Sequence, residues 1–308
     1  MNYLITGANG FIGKAIVKKI LEDEKNFVYG IVSSLDDVKD IAASNVKFFE
    51  LLFDDYRRIS EVINDKIDIT FHFAWAGLCG ASAKDFNLQI SDVIATHTLL
   101  EECKKLQTKT FIFASSMNVL ELQSYLTNPT AFSPRNIFIH AAAKMNAELI
   151  ARVFCFENNI KYNEGYIAMA YGEGNKSKMI PNVFIQSVLN GIKPKLSKGL
   201  NKYDVIYISD IVDAFLAISE KGIDKKSYYI GHNWEKTFKE IFMEMGTILN
   251  PAVELDFGAY PQDNNIDFGA VDRRELTQDT GWVPSADFRD SVLRTADWIR
   301  NCGIDFLN

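Results

Sequence analysis

Thr6-Gly7-Ala8-Asn9-Gly10-Phe11-Ile12-Gly13 follows a short apolar run, Tyr3-Leu4-Ile5, and opens a stretch in which Ile12, Ala15, Ile16 and Ile20 recur at helical spacing. Strand, glycine loop and helix in that order decide the fold. Gly7 permits the tight turn, Gly10 lets backbone approach a pyrophosphate, and Gly13 lets the helix pack closely on the strand. The helix N-terminus then offers free N–H groups and the positive end of its dipole to an anion. The loop therefore predicts a dinucleotide site built from Gly7, Asn9, Gly10, Phe11, Ile12 and Gly13.

Outward from the loop, the second strand, Phe27–Val32, ends in Ser33-Ser34 rather than in the acidic residue that grips an adenosine ribose. Asp36 and Asp37 come too late to stand at its tip. NAD and NADP both stay open, with Ser33 as the cofactor contact and a lean to NADP. Further strands are expected at Val46–Leu51, Ile67–Phe73, Thr110–Ala114 and Ile160–Ala170. Helices are expected at Ile59–Ile63, Asp85–Leu106 and Ile137–Phe156. Uninterrupted apolar strands alternating with helices mean a doubly wound parallel sheet, Rossmann-like, covered on both faces. After Gly172 the chain turns polar, with loops at Gly172–Pro181 and Gly191–Lys202. Shorter elements follow at Val183–Leu189, Val205–Ile208, Ile211–Ser219, Tyr228–Ile230, Phe238–Leu249 and Asp287–Arg300. Residues 1–172 read as the dinucleotide-binding domain, with 204–230 returning to it. Residues 173–203 and 231–308 read as a smaller substrate-binding region.

The 308 residues are 47% hydrophobic and 24% charged, with a net charge of -7. That is a globular composition, and its sign argues against a nucleic-acid or anionic-membrane partner. Cys79, Cys103, Cys155 and Cys302 form no CxxC, and the four histidines are scattered, so no metal site is expected. The chain opens directly on its first strand, with no leader and no membrane-length apolar run, so a cytoplasmic location is expected.

Four further segments carry a resemblance. They are His72-Phe73-Ala74-Trp75, Phe111-Ile112-Phe113-Ala114-Ser115-Ser116, His140-Ala141-Ala142-Ala143-Lys144 and Tyr203-Asp204-Val205-Ile206-Tyr207-Ile208-Ser209-Asp210. With the glycine loop they resemble the extended short-chain dehydrogenase/reductase family, in its nucleotide-sugar epimerase, dehydratase and reductase group. The resemblance implies a catalytic hydroxyl at Ser116 and a lysine, Lys144, gripping the nicotinamide ribose. It also places Ala74 beside the cofactor. Ser115, Ser116, Met169, Lys178 and Tyr203 fall at or near positions that would face a nucleotide-linked sugar. The chain departs from the pattern most at His140, which stands where the family has its proton-carrying tyrosine. It also has Leu52 for an aspartate, Asp92 and Met169 for asparagines, and Tyr203 for an arginine. Lys176, Lys178, Lys195, Arg273 and Arg274 are the cations that could compensate. The family's pairing of its two long helices suggests a homodimer.

Hydride transfer to or from a sugar carbon requires a proton to move at the attached oxygen. Neutral imidazole at 140 could accept it, directly or through water, and a neighbouring ammonium at 144 would lower its pKa. Met117-Asn118 follows Ser116 where dehydratases carry an acidic pair, so elimination of water is set aside. A keto-sugar reductase or an epimerase remains, with a catalytically decayed dinucleotide-binding module as the alternative.

Overall fold

A computed structural model describes residues 1–260 and 265–307. In chain order the strands are β1 (Asn2–Thr6), β2 (Phe27–Val32), β3 (Val46–Glu50), β4 (Ile69–His72), β5 (Thr110–Ser116) and β6 (Lys161–Ile167), then β7 (Met169–Tyr171), β8 (Lys195–Ser197), β9 (Val205–Tyr207), β10 (Ser227–Ile230) and β11 (Asp256–Tyr260). The helices are α1 (Phe11–Ile20), α2 (Ile59–Val62), α3 (Gly80–Ala83), α4 (Phe86–Lys105), α5 (Met117–Thr127) and α6 (Ile137–Glu157), then α7 (Ile180–Leu189), α8 (Ile208–Lys221), α9 (Phe238–Leu249), α10 (Glu275–Thr280) and α11 (Phe288–Asn301).

Seven strands form one parallel sheet in the order β10-β6-β5-β4-β1-β2-β3. Residues alternate between its faces. Ile5, Val28, Phe71 and Ile112 join the core shared with α1 and α8. Leu4, Ile31, Phe111 and Phe113 join the core shared with α4 and α6. The strands are apolar because both faces are covered. The chain leaves β1 for β2 on one side and returns to β4 on the other. The crevice at their carboxyl ends is where open α/β sheets take ligands.

The expected strand over 160–170 is two strands. Ala168 makes the last bond to β10, its N–H to Ile230 O at 2.9 Å, and from Met169 the chain pairs with β9 instead, as β7. The polar connection 191–202 contains β8, which pairs with β11 some 60 residues later in a parallel ladder. The return of the chain adds β10 to the edge of the main sheet and packs α8 on α1. Two buried aspartates clamp this region. Asp204 accepts the N–H groups of Asn233 (2.8 Å) and His232 (3.2 Å), and Asp210 accepts those of Ser285 (3.0 Å) and Ala286 (3.2 Å). Both satisfy turns that would otherwise bury unpaired donors. Among the described residues, no helix is long and apolar enough to cross a membrane, and no cluster of metal-ligating side chains occurs.

Candidate active site

The glycine loop forms a cradle that side chains would fill. Gly7 has φ +68°, and Gly10 N–H bonds its carbonyl at 2.9 Å. A Cβ on Gly7 would lie 2.8 Å from Ala74 N, so the loop and the end of β4 are in direct backbone contact. A Cβ on Gly13 would lie 2.1 Å from Gly7 O. Gly10 caps α1 without a side-chain acceptor. The leading N–H groups of α1, from Phe11 to Gly13, are therefore available to an anion. At the rim, Asn9 Nδ2 bonds Ser33 Oγ at 2.9 Å.

One expectation is corrected here. Asp37 does reach the tip of β2. The 3-10 turn Leu35–Val38, capped by Ser34, folds it back so that Asn9 Nδ2 donates to its carboxylate at 3.2 Å. The Asn9 amide and the nearby Lys176 ammonium hold that carboxyl below its usual range. The lean to NADP rested on a carboxylate-free tip, and the tip is not carboxylate-free.

At the reactive end, β5 delivers Ser116. Its hydroxyl caps α5 by accepting Asn118 N–H at 3.2 Å. Opposite it, the Trp75-Ala76-Gly77 loop is pinned to α4. Asp92 accepts Ala76 N–H (2.9 Å) and Gly77 N–H (3.4 Å), while Gln89 receives Trp75 Nε1 (3.0 Å) and donates to Gly77 O (2.8 Å). Asp92 thus serves as a backbone acceptor where the family has an asparagine, and burial raises its pKa to about 6.

Lys144 lies beneath this loop. Its Nζ donates to Ala114 O at 2.8 Å and sits 3.9 Å from the Trp75 ring centre and 4.7 Å from that of Phe113. Carbonyl and aromatic faces stabilise an ammonium less than water does. Burial consequently lowers its pKa to about 7, against the pull of Asp92 and Glu148. His140, one turn earlier, is 2% exposed and edge-on to Trp75. Burial first, and Lys144 second, push its pKa down to about 3, so the imidazole is neutral at ordinary pH. Its Nδ1 is buried with no protein partner, an atom that calls for water or a ligand.

A cavity of about 450 Å³ opens beside the start of α5. Met117, Asn118, Met169, Tyr203, Cys79 and Tyr260 are in its wall. Of the expected substrate residues, Met169 and Tyr203 are there, while Ser116 is not in the wall and only its neighbour Met117 is. Ser115 is buried and donates to Glu148, and Lys178 is exposed outside the wall. Lys195 and Arg274 are exposed too, while Arg273 pairs with Glu235 and stacks on Phe268. The cations in the wall are Arg135, bound to buried Glu121 at 2.6 Å, and Lys202, bound to Glu235. Sequence reasoning missed both. Arg135 sits in an irregular segment with no local signal, whereas Lys202 immediately precedes the quoted Tyr203 segment.

His72 is structural. Its Nδ1 meets Thr6 Oγ1 at 2.6 Å and its Nε2 meets Thr96 Oγ1 at 2.9 Å, and burial lowers its pKa to about 3. An unfolded imidazole binds its proton near pH 6.5. The stability tied to neutral His72 is therefore complete above that pH and falls, by about 1.4 kcal/mol per unit, as pH drops toward the folded value. His72→Gln removes this dependence. Between about pH 4 and 6.5 its urea midpoint should fall less steeply than that of the wild type; parallel slopes would contradict the assignment.

The cradle, the Ser116 end and the lysine of α6 together define a family site. The chain belongs to the NAD dependent epimerase/dehydratase family, whose model matches residues 3–231. It is 23% identical over 314 residues to human dTDP-D-glucose 4,6-dehydratase, covering 96% of this chain and 89% of that protein. It is 25% identical over 312 residues to Escherichia coli dTDP-4-dehydro-6-deoxyglucose reductase, covering 96% and 97%. UDP-glucuronic acid 4-epimerase from Bacillus cereus, solved with UDP-glucuronic acid and NAD, superposes with a TM-score of 0.78 at 19% identity, over 98% of this chain and 100% of that one.

Proposed function

We propose that the protein is an NAD-dependent oxidoreductase that reduces a nucleotide-linked keto sugar. The observation that carries this reading is the cavity at the start of α5, whose wall begins at Met117 directly after Ser116 and holds no carboxylate among the described residues. Elimination of water needs an acid and a base at the sugar, and that wall supplies neither as a carboxyl group. This favours the reductase relative over the dehydratase one as the guide to chemistry.

The residues present fit a dinucleotide: the Gly7–Gly13 cradle, an uncapped helix N-terminus and an orphaned nitrogen on His140. When bound, NADH supplies the hydride. Phe11, Ile12 and Gly13 hold its pyrophosphate, and Ser33 and Asn9 its adenosine end. Asp37 beside them repels a 2′-phosphate, which selects NAD over NADP. Lys144 holds the nicotinamide ribose. Ser116 donates a hydrogen bond to the sugar oxygen. His140, neutral, binds a water at Nδ1 and acts through it rather than as an imidazolium. Because Arg135 and Lys202 are already engaged by carboxylates, the sugar that fits is uncharged rather than a uronate.

A second reading is favoured by one observation. His140 is buried away from the cavity wall, as in a site that has lost its tyrosine and binds cofactor without turnover. Purified protein with NADH or NADPH and a panel of keto and hydroxy nucleotide sugars, followed by nicotinamide absorbance across about pH 5 to 9, separates the two. Oxidation of NADH by a neutral keto sugar supports the reductase. Tight binding with no turnover, together with activity gained in His140→Tyr, supports the module.

The assembly proposed is a homodimer. Phe86, Ile90 and Ile94 along α4, and Leu149, Val153 and Phe156 along α6, are exposed on two helices that pack side by side. A contiguous apolar face of this kind is usually covered. Light scattering should give a dimer, and the double substitution Ile94→Glu, Leu149→Glu a folded monomer. A wild type that is monomeric at micromolar concentration would contradict the assembly.

A further inference from the structure

Ala114 and Ser115, the two residues before Ser116 on β5, each hold a buried ionisable side chain of α6. Ala114 O accepts from Lys144 Nζ at 2.8 Å, and Ser115 Oγ donates to Glu148 Oε1. Positions 144 and 148 are one helical turn apart and share a face. Both side chains are almost fully buried, Lys144 at 4% and Glu148 at 5% exposure. Lys144 is met by a carbonyl and two aromatic faces, and Glu148 by two hydroxyls.

Behind Glu148 stands a second buried carboxyl. The Tyr166 hydroxyl is 3.2 Å from an oxygen of Glu148 and 3.2 Å from one of Glu164. Glu164 takes the charged partner, Arg152 Nη2 at 2.6 Å, together with Ser227 Oγ at 2.6 Å and the Tyr162 hydroxyl. One guanidinium thus serves two carboxyls joined through a phenol. Glu164 has that guanidinium, so Glu148 is the one that keeps a proton. Burial, and then Glu164, raise the pKa of Glu148, while burial lowers that of Lys144. The other titratable or charged groups around the pair are Asp92 of α4, His72 of β4, His140 and Arg152 of α6, and Tyr162, Glu164 and Tyr166 of β6. None of them places a full opposite charge on both members of the pair.

We infer that Lys144 and Glu148 act as a single proton store behind Ser116, loaded while the nicotinamide ring is reduced and discharged when it is oxidised. The inference rests on the NAD-dependent reading. In the reduction, the carbonyl carbon takes the hydride and the carbonyl oxygen takes a proton. The nicotinamide ring, neutral before, is left cationic. A cationic ring near Lys144 would raise the cost of positive charge there, so the pair would give up one proton as the substrate oxygen gains one. Solvent reloads the pair after the oxidised dinucleotide leaves. Glu148 does not touch substrate; it is a positioning residue that sets the protonation of Lys144.

The test needs no turnover. Protein in weakly buffered solution with a pH indicator is titrated with NAD⁺ and, separately, with NADH, and binding is followed in the same samples by calorimetry. The two dinucleotides carry the same phosphates, so the difference in proton release reports the ring charge. Near neutral pH, NAD⁺ should release roughly half a proton per bound molecule more than NADH. Glu148→Gln should reduce that difference several-fold, and Glu148→Asp should restore part of it, with thermal melting to confirm that both variants fold. Equal release by the two dinucleotides, or a difference unchanged in Glu148→Gln, overturns the store while leaving NAD binding intact. Failure of both dinucleotides to bind overturns the NAD reading and the store together.

Discussion

Gly13→Ala should weaken dinucleotide binding by about 100-fold or more, equivalent to roughly 3 kcal/mol. The cause is space rather than backbone angle, because Gly13 lies within α1. The added Cβ would sit 2.1 Å from Gly7 O and 2.8 Å from Gly7 C, and both atoms are backbone. Neither can turn aside as a flexible side chain would. Gly7 cannot retreat either, since a Cβ-sized space beside it is already taken by Ala74 N. The helix must therefore tilt or slide away from the turn, and its leading N–H groups move off the pyrophosphate. Overpacking of this kind also destabilises the fold by about 1–3 kcal/mol. Fluorescence titration with NADH measures the first effect and chemical denaturation the second. An alanine variant that binds NADH as tightly as the wild type would remove the pyrophosphate from this loop.

Lys144→Met should move activity and stability in opposite directions. The aromatic sandwich of Trp75 and Phe113 suits a thioether, and methionine is close to lysine in length. The ammonium is costly where it lies, which is why its pKa falls to about 7. A group with that folded value and an unfolded value near 10.4 destabilises most below neutral pH, and the penalty fades as pH rises toward the unfolded value. The methionine variant should therefore gain roughly 1–4 kcal/mol below pH 7 and little near pH 10. Turnover, by contrast, should fall by about 10³-fold, because the ribose loses its donor and the reacting oxygen loses the nearby acid. Denaturation curves at two pH values and a single-substrate assay suffice. Undiminished turnover would take Lys144 out of the site, and a stability loss at low pH would refute the cost assigned to the buried charge.

Much of this arrangement was legible in the residues. The glycine loop, the uninterrupted apolar strands and the two long helices carry local signals, and those elements fall within a few residues of their expected bounds. β8 and β11 did not announce themselves. They are short, half polar, and pair across some 60 residues, so no window along the chain contains the pattern. The strand expected over 160–170 shows the opposite failure, since an apolar run does not mark where backbone leaves a ladder. Asp37 lies too far along the chain to signal its place at the tip of β2, because a 3-10 turn makes its distance in space shorter than its distance in sequence. His140 could be placed by spacing to Lys144, but its depth depends on Trp75, a side chain from another element. Glu148 did have a signal: positions 140, 144, 148 and 152 are spaced by four and line one helix face with polar residues in an otherwise apolar segment.

The contact between Gly7 and Ala74 has a consequence for how such a chain could change. It leaves no slack between the glycine turn and the loop that roofs Lys144, although 67 positions of sequence separate them. On the function proposed above, a substitution at position 140 would alter the chemistry without disturbing that alignment. On that function the bed for the cofactor would stay ready-made, and a new acid, base or nucleophile on α6 would only have to be the right length. A lineage, or an experimenter, could exchange one reaction for another here by single replacements on one helix face.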